Sequence, residues 1–275
     1  MKAISRALAE AARQIAPNSD TPRLDAELLM AEALNIDRDR LILAPPDRAV
    51  PDRFWAMLER RKSGEPVAYI TGRRAFWDIE LHVGPGVLIP RPDSEVLIVC
   101  ALEHFRDTDG PTRILDLGTG PGTLLLAALD IWPNATGLGI DVSRRALSYA
   151  AANARRLGSD ARVRWQLGDW AAGVAEKFDL VLCNPPYIAD GAALGPGVRE
   201  FEPDEALFAG AEGLDAYRVL APQLPTLLEK GGLAAVEIAP DQGAEVSAML
   251  ARDGLSAAVG EDLAGRPRVV ALTRT

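Results

Sequence analysis

The sequence predicts an α/β protein: a mainly parallel sheet with helices on both faces, preceded by a small helical module and a β-hairpin linker. Three observations carry this. From Asp93 onward, apolar runs of strand length alternate with segments whose apolar residues recur at helical spacing, the pattern of successive β-α-β units. Before Gly72 the spacing is helical only. Between the two lies a strict alternation at Trp77, Ile79, Leu81 and Val83. A chain of 275 residues is long enough for one large domain and one small one, each with its own core. The expected divisions are 1–72, 73–92 and 93–275.

In chain order, the first module has apolar faces at Leu24, Leu28 and Ala31 and at Phe54, Met57, Leu58 and Arg61, separated by Pro45-Pro46 and Ser63-Gly64. No residue there has an evident catalytic pattern, and a helical module of this kind reads as a docking surface for a partner protein. The alternation at 77–83 followed by Gly84-Pro85-Gly86 and by residues 87–89 predicts a hairpin turning at the glycines. An apolar strand at 112–117 then runs into Gly118-Thr119-Gly120-Pro121-Gly122. A helix bearing Leu124, Leu125, Ala128 and Leu129 follows, closed by Pro133. The next strand, 135–140, ends in Asp141, and another, 162–167, ends at Gly168-Asp169-Trp170. The run 178–183 leads into Asn184-Pro185-Pro186-Tyr187, and later strands fall at 233–238 and 268–272. There is no internal repeat and no low-complexity segment.

Asn184-Pro185-Pro186-Tyr187 suits the gripping of a planar amide or amine nitrogen. The asparagine offers a carbonyl acceptor, and the carbonyls around two prolines have no neighbouring proline N–H to compete for them. The residue before a proline is held extended, so Asn184 should leave its strand at the carboxyl end, where open α/β sheets bind ligands. Taken alone, the tetrapeptide reads equally as a structural turn. The glycine turn supplies context. Its third glycine follows the second by two residues rather than the three of the dinucleotide fingerprint. Asp116, just before it, would repel a pyrophosphate and favour a cationic or amine-bearing ligand; S-adenosylmethionine carries both an ammonium and a sulfonium. Asp141 stands where a carboxylate grips ribose hydroxyls in nucleotide folds. Asp169 can accept from an adenine amino group. Trp170 is either a stacking face for the ring or a core residue.

With these residues assembled, the chain resembles the release factor glutamine methyltransferases, the HemK/PrmC family of class I S-adenosylmethionine-dependent methyltransferases. Asp-Leu-Gly-Thr-Gly at 116–120 and Asn-Pro-Pro-Tyr-Ile at 184–188 are joined by Leu24-Asp25-Ala26-Glu27-Leu28-Leu29, Tyr69-Ile70-Thr71-Gly72 and Ile89-Pro90-Arg91-Pro92-Asp93-Ser94-Glu95. Glu202-Pro203 with Ala206-Leu207, and Gly265-Arg266-Pro267-Arg268-Val269-Val270, complete the likeness. Pro121 and Thr123 depart from the family's commoner residues, as do Asp93-Ser94 where Glu-Thr is usual. The resemblance implies a Rossmann-like seven-stranded fold and transfer of a methyl group to the glutamine of the Gly-Gly-Gln motif of class 1 peptide chain release factors. S-adenosylmethionine is then the cofactor and S-adenosylhomocysteine the product. It also implies cofactor binding by Gly118, Thr119, Gly120, Pro121, Gly122, Asp141, Asp169, Trp170 and Asn184. Asn184, Pro185, Pro186 and Tyr187 hold the substrate, with Asn184, Pro185 and Tyr187 in the catalytic step. Tyr187 either packs on the substrate amide or covers the cofactor pocket. Arg91 is open between cofactor-side support and domain junction, and Glu202 between ordering the 188–214 loop and pairing with an arginine. Asn-Pro-Pro-Tyr also occurs in amino-methylating enzymes of nucleic acids, so methylation of adenine or guanine in RNA or DNA is the alternative; a non-catalytic adenosine-binding protein is a third.

Composition narrows the field. A net charge of −9 argues against stable nucleic-acid binding, which depends on basic side chains neutralising phosphates. Arg60-Arg61-Lys62 and Arg73-Arg74 are the local exceptions, the first readable as a solvated helix end. Cys100 and Cys183 are too few to staple such a chain and suggest a reducing compartment. With no signal-like or membrane-spanning apolar stretch, a cytoplasmic monomer is expected. The isolated His82 and His104 predict no metal site.

Overall fold

The computed structural model describes residues 3–274. They form two compact units. The first comprises the described residues up to Arg73, together with Val83–Pro85 and Ala193–Glu202; the second comprises Arg74–His82, Gly86–Ala192 and the described residues from Pro203 on.

The first unit is helical: α1 (Ala3–Ile15), α2 (Pro22–Leu34), α3 (Arg38–Leu43), α4 (Asp52–Lys62), α5 (Val67–Thr71) and, further along the chain, α9 (Val198–Phe201). Helix α1 buries Ile4, Ala7, Leu8, Ala11 and Ile15, the stripe that a 3.6-residue period dictates. Pro22 opens α2, where its missing N–H is not needed. Leu29, Met30, Phe54 and Leu58 form the fully buried centre. Arg61 lies on the buried face of α4 as an ion. Its Nε donates to Asp25 Oδ2 at 2.8 Å and its Nη2 to the Asn18 carbonyl at 2.7 Å, partners that a buried guanidinium requires. Arg60 pairs with Glu65 and Lys62 with Glu59. The basic run is therefore an internally paired helix end.

The second unit begins with the hairpin of β1 (Arg73–Phe76) and β2 (Ile79–His82). Its turn is Trp77-Asp78, not the Gly84-Pro85-Gly86 expected from sequence. Trp77 takes the left-handed φ of +51° that a two-residue turn demands, and its N–H donates to Glu95 Oε1 at 3.2 Å. Residues 87–89 form no strand, since they lead into Pro90 and Pro92, which have no N–H to offer a ladder. Beyond come α6 (Glu95–His104), β3 (Arg113–Leu117), α7 (Thr123–Ile131), β4 (Thr136–Asp141), α8 (Arg144–Arg156), β5 (Val163–Leu167) and β6 (Phe178–Cys183). The unit closes with α10 (Asp215–Leu220), α11 (Leu224–Leu227), β7 (Leu228–Glu237), α12 (Gly243–Leu250), β8 (Leu255–Glu261) and β9 (Pro267–Arg274). The sheet order is β5-β4-β3-β6-β7-β9-β8; the first five strands are parallel, and β9 runs antiparallel to both β7 and β8. Strand β8 is absent from the sequence reading. Its half-exposed Ser-Ala-Ala-Val-Gly run has no apolar alternation and only one of the branched side chains that mark a strand, Val259.

Register decides what meets what at the carboxyl ends. Leu117 pairs with Ile140 on one side and Cys183 on the other, Asp141 pairs with Leu167, and Cys183 pairs with Val236. The next residues along these strands, Gly118, Asp141, Asn184 and Glu237, therefore emerge side by side.

One glycine in the first unit is dictated by packing. Gly197 has φ +79°, and a Cβ there would lie 2.3 Å from the Gly64 carbonyl oxygen. Gly197→Ala should therefore destabilise this unit by about 1–3 kcal/mol, measured as a lower urea midpoint for the protein.

Candidate active site

A cavity of about 250 Å³ opens over the carboxyl ends of β3, β4 and β6, lined by Gly118, Gly120, Asp141, Asp169, Trp170 and Asn184 among others. A second, about 40 Å³, adjoins it and is lined by Asp116, Thr119, Pro121, Arg91, Ser94 and again Gly118, Gly120 and Asn184. The strand-to-helix turn shapes both. Gly118 and Gly120 have φ of +70° and +56°, a backbone other residues adopt at a cost. Asp141 ties the turn to the neighbouring strand: Oδ2 accepts from the Gly120 N–H at 2.8 Å and Oδ1 from the Ser143 N–H at 2.8 Å. Ser143 in turn caps α8. Burial raises the Asp141 pKa, and Glu205 on the cavity wall adds to the rise.

Asp116 is buried at the bottom. Its Oδ2 accepts from Thr119 Oγ1 at 2.6 Å and from the Leu125 N–H at 3.3 Å, while Oδ1 has no partner. Burial pushes its pKa up to about 7, with the Asp141 charge contributing. Gly122 lines neither cavity. It caps α7 at φ +87°, and a Cβ there would meet Leu126 at 2.8 Å and Trp165 at 3.3 Å. Its glycine serves packing. Trp170 is held at φ +50°, with its indole edge 3.6 Å from where a Gly118 Cβ would stand. It lines the cavity and also packs on the core.

Asn184 leaves β6 with its Nδ2 donating to Ser94 Oγ at 2.9 Å. Pro185 is buried, and Pro186 and Tyr187 are half-buried; none of the three lines either cavity. Tyr187 packs against the sheet core and donates its hydroxyl to Glu237 Oε1 at 3.2 Å. Burial drives its pKa well up. Its carbonyl accepts from Gln242 Nε2 at 3.2 Å, which also holds the Gly213 carbonyl at 3.2 Å. The next residue, Ile188, is clamped by the Leu207 carbonyl at 3.0 Å and the Ala209 N–H at 2.9 Å. The tetrapeptide is therefore rigid at both ends. Ser94, Glu237 and Gln242 were not assigned to the site from sequence. Glu237 had a signal, a lone carboxylate inside the apolar run 233–238; Gln242 had none.

Arg91 lines the smaller cavity, and Glu202 is buried within the first unit. Arg268 is buried and pairs with Asp93 at 3.0 Å, and Arg266 with Asp262 at 2.7 Å, which gives the Gly-Arg-Pro-Arg segment a structural task. Among the described residues, no group of His, Cys, Asp and Glu is arranged to hold a metal, and no helix is long and apolar enough to cross a membrane.

An amine-bearing adenosine ligand fits this architecture. Asp116, whose buried Oδ1 has no partner, lines the smaller cavity, the glycine turn lets a ligand approach the backbone, and Asp141 retains lone pairs at the mouth of the larger. The PrmC N-terminal domain family matches residues 6–72 and a methyltransferase domain family matches residues 108–242. A release factor glutamine methyltransferase of Rhodospirillum rubrum is 43% identical over 93% of this chain and 80% of its own length. One of Cereibacter sphaeroides is 42% identical over 98% of each. The chain belongs to the release factor glutamine methyltransferase family. It is a methyltransferase, and the seven-stranded α/β fold is the one the sequence predicts. A ribosomal protein L11 methylase of Lactobacillus delbrueckii subsp. bulgaricus shares that fold at a TM-score of 0.50, with 24% identity, over 67% of this chain and 80% of the other.

The buried Asp116 has a consequence for stability. Between pH 3.8 and about 7 the unfolded chain releases this proton while the folded protein keeps it; the native state binds more protons, so this group's contribution to stability falls as pH rises. Asp116→Asn should therefore be more stable than the wild type at pH 8, by up to about 4 kcal/mol. At pH 3.5, below both values, the ionisation of Asp116 contributes no difference; urea midpoints at the two pH values measure the change.

Proposed function

We propose that the protein transfers a methyl group from S-adenosylmethionine to the side-chain amide nitrogen, N5, of the glutamine in the Gly-Gly-Gln motif of class 1 peptide chain release factors. The observation that carries this reading is the rigid Asn184 corner, set beside the glycine turn by strand register. The names of the relatives supply the substrate. Residues 1–72 are read as the docking domain for the release factor, 73–92 as a linker and 93–275 as the catalytic domain, in a cytoplasmic monomer.

When bound, S-adenosylmethionine supplies an electrophilic methyl carbon on a sulfonium. Asp141 would hold the ribose hydroxyls, Asp169 and Trp170 the adenine, and Asp116 the amine end through the smaller cavity. The substrate is a poor nucleophile, because its nitrogen lone pair is delocalised into the carbonyl. Asn184 Oδ1 accepting one amide hydrogen and the Pro185 carbonyl accepting the other aim the nitrogen at the methyl carbon. Both acceptors also stabilise the positive charge that grows on nitrogen. The methylated nitrogen carries its two original protons and a positive charge, and is acidic enough to lose one of them to water. Tyr187, with its hydroxyl engaged by Glu237, fixes the backbone of the corner and presents no charge to the site.

Asn184→Ala should keep its cofactor affinity by calorimetry and lose about a hundredfold or more in turnover; wild-type turnover would remove the double-acceptor mechanism. Labelled methyl transfer should mark a purified class 1 release factor and not its Gly-Gly-Ala variant, total tRNA or ribosomal RNA. Label on RNA would instead favour amino-methylation of a nucleobase.

A further inference from the structure

Beneath the Asn184 corner lies a buried polar chain to which the mechanism above gives no task. Ser94 is 2% exposed and Glu237 is fully buried at the end of β7. The Cys183–Val236 pairing places Asn184 and Glu237 at neighbouring positions of adjacent strands. Asn184 Nδ2 donates to Ser94 Oγ at 2.9 Å and Tyr187 Oη donates to Glu237 Oε1 at 3.2 Å. The Ser94 hydroxyl lies near the same carboxyl and favours its charged form.

We infer that Ser94 and Glu237 are positioning residues that determine which end of the Asn184 amide faces the substrate nitrogen. The inference rests on the proposed role of Asn184 as acceptor. A primary amide has a donor end and an acceptor end of nearly equal size, and packing alone does not choose between them. A hydroxyl has one proton. Given to the Glu237 carboxylate, that proton leaves Ser94 Oγ only its lone pairs for Asn184, so Asn184 must turn Nδ2 inward and keep Oδ1 for the substrate. Without an ionised partner at 237, Ser94 can donate to Oδ1 instead. Asn184 then offers N–H groups to a substrate NH2 that also needs acceptors, and the corner repels what it should grip.

The groups facing Glu237 are Tyr187 on the tetrapeptide, Ser94 and Asp93 before α6, Arg268 on β9, Tyr217 on α10 and Cys183 on β6. Burial pushes the Glu237 pKa up to about 7, while Ser94, Tyr187 and Arg268 favour its charged form and Asp93 opposes it. Burial drives the Tyr187, Tyr217 and Cys183 pKa values upward, and across β6 Asp116 is the other carboxyl pushed up to about 7. Protonated, Glu237 no longer demands the Ser94 proton, so turnover should rise with pH through about 7.

The test compares wild type, Ser94→Ala, Ser94→Thr and Glu237→Gln in methyl transfer to a release factor from pH 6 to 9, with cofactor affinity measured alongside. Ser94→Ala should lose about tenfold or more in kcat with unchanged cofactor affinity, and Ser94→Thr, which keeps the hydroxyl, should recover to within about threefold. Glu237→Gln should lose activity and flatten the rise near pH 7, leaving the part that Asp116 contributes. Wild-type kcat in Ser94→Ala, or an unchanged pH profile in Glu237→Gln, would overturn the inference. A readout independent of substrate comes from NMR of the free protein. The Asn184 side-chain N–H protons should exchange with water about tenfold faster in Ser94→Ala, and equal rates would overturn the inference whatever molecule accepts the methyl group. Absence of transfer to the release factor by the wild type would instead overturn the glutamine reading and leave the exchange result standing.

Discussion

Everything at this site depends on the register of four parallel strands. Leu117, Ile140, Cys183 and Val236 form one row across the sheet. The polar residues just beyond that row, Gly118, Asp141, Asn184 and Glu237, are therefore neighbours although more than a hundred residues separate the first from the last. A slip of one residue in β6 would turn Asn184 to the opposite face of the sheet. The buried branched and leucine side chains that set the register, among them Leu115, Leu138, Val181 and Val236, are in that sense as necessary to the chemistry as the residues that perform it.

The same row explains why two carboxyl groups are tolerated in the interior. Asp116 and Glu237 flank β6 from β3 and β7, and each has one oxygen without a partner. A buried, incompletely satisfied carboxylate costs free energy, and both groups respond by holding their protons to about pH 7. Neither is explained by packing, since an apolar side chain of similar volume would remove the cost. Asp116 lines the smaller cavity, whereas Glu237 lines neither. The first suits a ligand, the second an internal alignment.

Much of this was legible in the sequence, for identifiable reasons. The strand-turn-helix at 112–131 announces itself because each step has a local cause, an apolar run, glycines and helical spacing. Asn184 is legible because proline restricts the residue before it. The hairpin turn was misplaced because Gly84-Pro85-Gly86 carries the usual turn residues, while the actual turn relies on Trp77, a residue with no intrinsic liking for a left-handed backbone, held there by a bond to distant Glu95. Gly122 fell within the glycine turn by spacing, yet its requirement is the proximity of Leu126 and Trp165, which only the fold reveals. Ser94 and Gln242 act through partners 90 and 55 residues away, beyond any local pattern.

The first unit is discontinuous in the chain. Ten residues that follow the Asn-Pro-Pro-Tyr tetrapeptide, Ala193–Glu202, belong to it, as do Val83–Pro85, and Gly197 packs against Gly64 with no room for a methyl group. A unit assembled from three stretches of sequence cannot be exchanged between relatives by a single crossover. Recombination at residue 72 would bring a foreign helical unit against a native third stretch, so the helical unit and the loop beyond the tetrapeptide must be inherited together.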